Sequence, residues 1–301
     1  MSNDLYPLTL EPLVAEQLWS GRPGEPAPEE ENLPPGFSSG TLFMATSNSR
    51  VAGGPQSGRG LGYLRQLLGA DLMGVQAGGD FDGPLPVELK LKRTGESALA
   101  VGLTDYSLWF ILAAEEDSSI NVGFKPGLNF KSAAADAAGD PGRWSEFMPE
   151  YPVETGQILL LPKLAPLLLG AGLTVAQIGP PAGNLSNWPL ASQSGEGLRL
   201  AAESESPLLL VPEEISPGRE LLFDDEHCSV TLITTTHLST VAAPEAATFL
   251  WPLAGQGRIR ARGPAPVTRI QPGRVIMLPA ALGRYAVESG ASITYLLIEA
   301  S

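Results

Sequence analysis

Residues 155–178 read TGQILLLPKLAPLLLGAGLTVAQI, and residues 272–298 read PGRVIMLPAALGRYAVESGASITYLLI. The two stretches carry the same punctuation. A turn residue (Thr155, Pro272) precedes a glycine (Gly156, Gly273), and a short apolar strand then runs to a proline (Pro162, Pro279). A second glycine (Gly172, Gly290) and a closing apolar strand (TVAQI, SITYLLI) complete each copy. Glycine permits the positive φ of a hairpin turn, and proline ends a strand where no ladder donor is needed. Short strands at this spacing, written twice, predict a mainly β chain. It should form two jelly-roll barrels with a few short helices, divided at residues 1–200 and 207–301.

The rest of the chain agrees with that reading. Its 34 glycines and 28 prolines in 301 residues, with charged residues at only 17%, favour many strands and turns over long helices. VELKLKR (87–93) alternates apolar and polar residues, while SLWFILAA (107–114) and SINVGF (119–124) are compact apolar runs. In LGYLRQLL (61–68), Leu61, Leu64, Leu67 and Leu68 are read as one face of a short helix. The Ala-rich stretch 131–148, broken by Asp140-Pro141-Gly142, predicts one or two short helices. Residues 21–40 and 183–206 read as polar loops, the first holding a run of glutamates.

Charge excludes several partners. Acidic residues outnumber basic ones 33 to 19, for a net charge of −14 and an isoelectric point near 4.6. A field of that sign repels nucleic acid and anionic lipid. The most apolar window, Leu164 to Ala176, contains Pro166 and is too short to span a bilayer. The opening MSNDLYPLTLEPL has no basic segment followed by an apolar one. With the single Cys228, which excludes an intrachain disulfide, these features lead us to expect a cytoplasmic protein.

Several segments together resemble the type I mannose-6-phosphate isomerases, which are bicupin proteins. LTLEPLVAEQLWSGRPG (8–24) resembles the family's opening, with Trp19-Ser20-Gly21 where a Trp-Gly-Gly is usual. VELKLKR places Lys90 at the family's lysine, and the strand pair 107–127 ends in Gly123-Phe124-Lys125. The two quoted hairpins resemble the metal-site hairpin and its counterpart near the C-terminus. The resemblance implies two cupin barrels and, around a sugar-phosphate pocket, Lys90 and Lys125 as binding residues.

It also implies a zinc site, and there this sequence departs from the family. The Gln-Val-His-Pro of the first ligand strand falls on Ala100-Val101-Gly102-Leu103, the glutamate before Trp109 becomes Ser107, and the hairpin histidine becomes Leu167. The family's arginine aligns with Asn187. Zinc needs three or four converging N, S or O ligands. The chain's only histidines are His227 and His237. His227 and Cys228 are adjacent and would point to opposite faces of a strand. We therefore expect no catalytic residue, no metal and no cofactor.

The densest basic cluster is Arg258, Arg260, Arg262, Arg269, Arg274 and Arg284, all in the second half. Alternation at 258, 260 and 262 puts three guanidiniums on one strand face, either as an anion site or as an exposed face paired with acidic groups. The function expected is that of a non-catalytic carbohydrate or sugar-phosphate binding or regulatory protein. An isomerase using another arrangement and a structural protein with a closed pocket are the alternatives.

Overall fold

The computed structural model describes residues 5–14, 40–74, 84–95, 99–103, 107–137, 141–163, 165–181, 206–236, 239–241, 245–261 and 265–300. The first half contributes β1 (Leu8–Thr9), β2 (Leu13–Val14), β3 (Gly40–Ala45), β4 (Glu88–Arg93), β5 (Leu99–Leu103), β6 (Ser107–Ala114), β7 (Ser119–Val122), β8 (Glu150–Pro152), β9 (Ile158–Leu161), β10 (Pro166–Leu169) and β11 (Leu173–Gly179). The second contributes β12 (Leu208–Leu210), β13 (Glu213–Ser216), β14 (Arg219–Asp224), β15 (Cys228–Thr235), β16 (Ser239–Val241), β17 (Thr248–Ala254), β18 (Gly257–Ala261), β19 (Thr268–Ile270), β20 (Ile276–Leu278), β21 (Tyr285–Glu288) and β22 (Ile293–Ala300).

These strands form two pairs of antiparallel sheets. The first pair has the orders β12-β9-β6-β11-β4-β3-β2 and β5-β10-β7-β8. The second has β1-β20-β17-β22-β15-β14-β13 and β16-β21-β18-β19. Position by position, the second pair repeats the first. The hairpin resemblance in the sequence is thus the visible part of a duplication that extends through every sheet. Gly156 and Gly273 hold equivalent turns with φ of 91° and 82°, where an L side chain would be strained. Gly172 shares this left-handed conformation, at φ 71°. Gly290 does not, so the expected positive φ fails there and the second hairpin turns by another route.

The two halves exchange their opening strands. β1 pairs with β20 (Leu8 opposite Met277), and β12 pairs with β9 (Leu209 opposite Leu159). Each half therefore completes the large sheet of the other. Hydrogen bonds from Leu10 N–H to the Val275 carbonyl (2.8 Å) and from Thr268 Oγ1 to the Pro7 carbonyl (3.1 Å) hold the first crossing in place.

Period-2 alternation then sorts the side chains into three cores. Leu108 and Phe110 of β6, Ala176 and Ile178 of β11, Phe249 and Trp251 of β17, and Leu296 and Ile298 of β22 belong to one apolar cluster shared by both seven-stranded sheets. The intervening residues face inward. Trp109, Ile111, Leu173 and Val175 line the interior of the first barrel. Leu250, Ile293, Tyr295 and Leu297 line that of the second. Each of these strands buries both faces, which explains why they read as apolar runs.

Helices fill the insertions. α1 spans Leu61–Leu68, α2 spans Ala70–Met73, and α3 spans Phe130–Ala137, followed by a 3-10 segment at Pro141–Phe147. In α1 the buried face is Leu61, Leu64, Arg65 and Leu68, whereas Leu67 is 52% exposed. The expected face is corrected accordingly: positions i, i+3, i+4 and i+7 share a stripe, and i+6 lies off it. No helix among the described residues is long and apolar enough to cross a membrane.

Candidate functional site

Strand β4 carries the polar heart of the first barrel. Leu89 and Leu91 face the core between the large sheets. Alternation turns Glu88, Lys90 and Lys92 the other way, toward the barrel interior. Both lysines are buried, at 5% and 8% exposure. Lys90 Nζ lies 3.2 Å from Glu88 Oε2 and 5.2 Å from the centre of the Phe43 ring. Glu88 is anchored in turn by Thr46, whose Oγ1 donates to Glu88 Oε1 at 3.0 Å.

Lys92 is placed differently. Its Nζ donates to Thr41 Oγ1 over a long 3.4 Å and sits 5.9 Å from the Trp109 ring centre. Burial, reinforced by the neighbouring Lys90 charge, pushes its ammonium pKa down to about 7. Lys90 is thus an ion-paired cation, and Lys92 is an amine poised between protonation states at neutral pH.

Facing strands complete the cluster. Gln177 of β11 is in register with Lys90 on β4 and with Trp109 on β6. Trp109 Nε1 donates to Ser107 Oγ at 2.9 Å, and Gln177 Nε2 donates to the same oxygen at 3.5 Å. Gln177 Oε1 is buried without a hydrogen-bond partner. Such an unspent acceptor is costly unless a ligand or water group meets it. Two amines, an unspent carbonyl oxygen and an indole face make a constellation able to bind a hydroxylated anion.

The other end of this interior is apolar. Leu159, Leu161, Leu167 and Leu169 are buried at 5% exposure or less, in the same cluster as Trp109. Leu167 is in register with Gly102 of β5 and Val122 of β7. The positions at which the resemblance puts metal ligands are therefore brought together, and they carry Gly102, Ala100 and Leu167 on neighbouring strands.

Lys125 stands outside this cluster. It is exposed; its Nζ donates to the Glu146 carbonyl (2.9 Å) and its N–H to the Phe147 carbonyl (2.9 Å). His227 is exposed beside Glu226, while Cys228 points into the shared core. His237, Asn187, Trp19 and Arg262 lie outside the described residues. The resemblance pointed to Lys90. It gave no reason to single out Lys92, Glu88 or Gln177, although the alternation of VELKLKR places Lys92 on the same face as Lys90.

No family model matches the sequence, and no curated protein matches it. Solved structures do. The mannose 6-phosphate isomerase from Bacillus subtilis superposes with a TM-score of 0.73 at 17% identity, over 97% of this chain and 99% of that one. The chain has the fold of the mannose 6-phosphate isomerases. A substituted phosphomannose isomerase from Salmonella typhimurium gives 0.72 at 12% identity, covering 98% of this chain and 99% of that one. A zinc-bound mannose 6-phosphate isomerase gives 0.70 at 11% identity with the same coverage. At these identities the likeness establishes the cupin-type architecture, and the chemistry has to be read from the residues.

Zinc does not fit the residues present. Ala100, Gly102 and Leu167 have no donor atoms in their side chains, and Ser107 Oγ accepts the Trp109 indole proton. Among the described residues, no three His, Cys, Asp or Glu side chains are grouped so that they could hold a metal ion.

Proposed function

We propose that this protein is a cytoplasmic pseudoenzyme: a non-catalytic bicupin protein holding a sugar phosphate or other small carbohydrate in its first barrel. Lys90 and Lys125 are its binding residues, and it runs no zinc-dependent isomerase reaction. The division into units at 1–200 and 207–301 belongs to the same proposal.

One observation carries the reading. Lys90 and Lys92 occupy one buried face, beside an unspent carbonyl oxygen, in a barrel whose ligand positions carry no metal donor. Burying amines costs several kcal/mol unless they are paired, at roughly this order for each ion. Among the described residues Glu88 faces them, and it is paired with Lys90. A ligand phosphate or carboxylate is the natural counter-charge, since lysine binds such groups as a point charge. Aldose–ketose interconversion, by contrast, develops an oxyanion that a metal would stabilise as a Lewis acid. Ser107 alone retains an oxygen at those positions, and it is already hydrogen-bonded.

A second reading, a structural protein with a closed first barrel, is favoured by the four buried leucines of β9 and β10. Thermal-shift titration with mannose 6-phosphate and fructose 6-phosphate separates the two. Stabilisation of the wild type that is lost in Lys90→Ala and Lys125→Ala supports binding. No response to either compound supports the closed barrel. Stoichiometric zinc in protein purified without chelator, with turnover abolished on its removal, would establish the isomerase alternative.

A further inference from the structure

The four-stranded sheet β16-β21-β18-β19 of the second barrel turns one face inward. Ile259, Ile270 and Val287 are buried there at 1% exposure or less. Alternation places Arg258, Arg260, Arg269 and Glu288 on its outer face. Arg258 lies directly opposite Glu288 on β21 and directly opposite Arg269 on β19. Arg258 Nε and Arg260 Nε both reach Glu288, the latter at 3.1 Å from Oε1. The single carboxylate is thus shared by two guanidiniums while a third, Arg269, stands against Arg258 across the strand pair. Like charges directly opposite each other destabilise a sheet. A local excess of positive charge in a chain of net charge −14 runs against its overall composition.

Arg258, Arg269 and Glu288 line a cleft of about 500 Å³, together with Gln256, Gln271 and Ser289. That volume lies within the range of small-molecule sites, which runs from about 300 to 1,000 Å³. Ser289 Oγ is buried without a hydrogen-bond partner. Ile270 is the one large apolar side chain among the lining residues, so an apolar ligand has little to rest on. From this geometry we infer that the cleft is a second ligand site, taking the phosphate ester of a small polyol. The phosphoryl group sits between Arg258 and Arg269, and the hydroxyls face Gln256, Gln271 and Ser289. Arg260, beside the cleft, offsets Glu288, so the two guanidiniums that line it, Arg258 and Arg269, are left to match a phosphoryl dianion, and planar forks from separate strands suit its several oxygens. Glu288 keeps Arg258 and Arg260 oriented, and their hydrogen bonds hold its carboxyl below the usual range.

The test is calorimetric titration of the full chain at low salt with glycerol 3-phosphate and with inorganic phosphate. The proteins are wild type, Arg269→Ala, Arg269→Lys, Lys90→Ala and Lys90→Ala combined with Arg269→Ala. Arg269 is exposed, and circular dichroism confirms that each variant is folded. Arg269→Ala is expected to weaken glycerol 3-phosphate at least about tenfold, with Arg269→Lys between it and wild type because the charge remains and the fork is lost. In a Lys90→Ala background, where the first-barrel site has lost a lysine, Arg269→Ala should weaken binding by the same factor, which separates this site from the one in the first barrel. Inorganic phosphate should bind more weakly than the ester. Binding unchanged by Arg269→Ala in either background, or no binding to the wild type at millimolar ligand, would each overturn the assignment.

Discussion

Lys92→Met is expected to stabilise the protein, by an amount that shrinks as pH rises. The buried ammonium of Lys92 has a pKa of about 7, against 10.5 for an unperturbed lysine. With the folded value below the unfolded one, the unfolded chain binds the extra proton between pH 7 and 10.5. Stability is therefore lowest below that window and recovers as pH climbs through it. At about 1.4 kcal/mol per unit, the group costs the fold on the order of 5 kcal/mol at pH 6, about 3 at pH 8 and about 1 at pH 10. Methionine keeps the unbranched stem and sheds the charge. It forgoes the long Thr41 hydrogen bond and the Trp109 ring contact, together about 1–2 kcal/mol. The net gain is then about 1–2 kcal/mol at pH 8, moving toward zero or a slight loss near pH 10. Urea unfolding of both proteins at unit steps from pH 6 to 10 measures it, and the difference cancels the titrating groups that do not couple to Lys92, as Lys90 does. A difference that is flat with pH would refute the reasoning, because it would mean that Lys92 titrates alike in both states.

Leu167→Ala should cost about 3 kcal/mol, because a fully buried side chain of the first barrel leaves a cavity that strands on both sides hold open. A loss below about 1 kcal/mol in chemical denaturation would show that this interior is loosely packed. Cys228 is buried, and burial together with Asp225 and Asp224 pushes its thiol up to about 12. Aromatic disulfide reagents at pH 8 should therefore label it only on unfolding, and rapid stoichiometric labelling of the native protein would contradict that.

The duplication was legible in the chain because its signals are local. Gly156 and Pro162, with Gly273 and Pro279, bracket strands by backbone restrictions that act within a few residues. The lack of histidine in the first half was equally legible, since the chain's two histidines, His227 and His237, both come late in it. The exchange of β1 and β12 between halves was not, because pairing Leu8 with Met277 is a contact between distant segments that neither segment encodes alone. The site itself shows the same division. Alternation in VELKLKR separates Lys90 and Lys92 from Leu89 and Leu91 on opposite faces, but it cannot say which face meets water. A strand with one polar face ordinarily turns that face to solvent. Here the second large sheet covers the leucines and the barrel closes over the lysines, so only the tertiary structure makes them a buried pair beside Gln177.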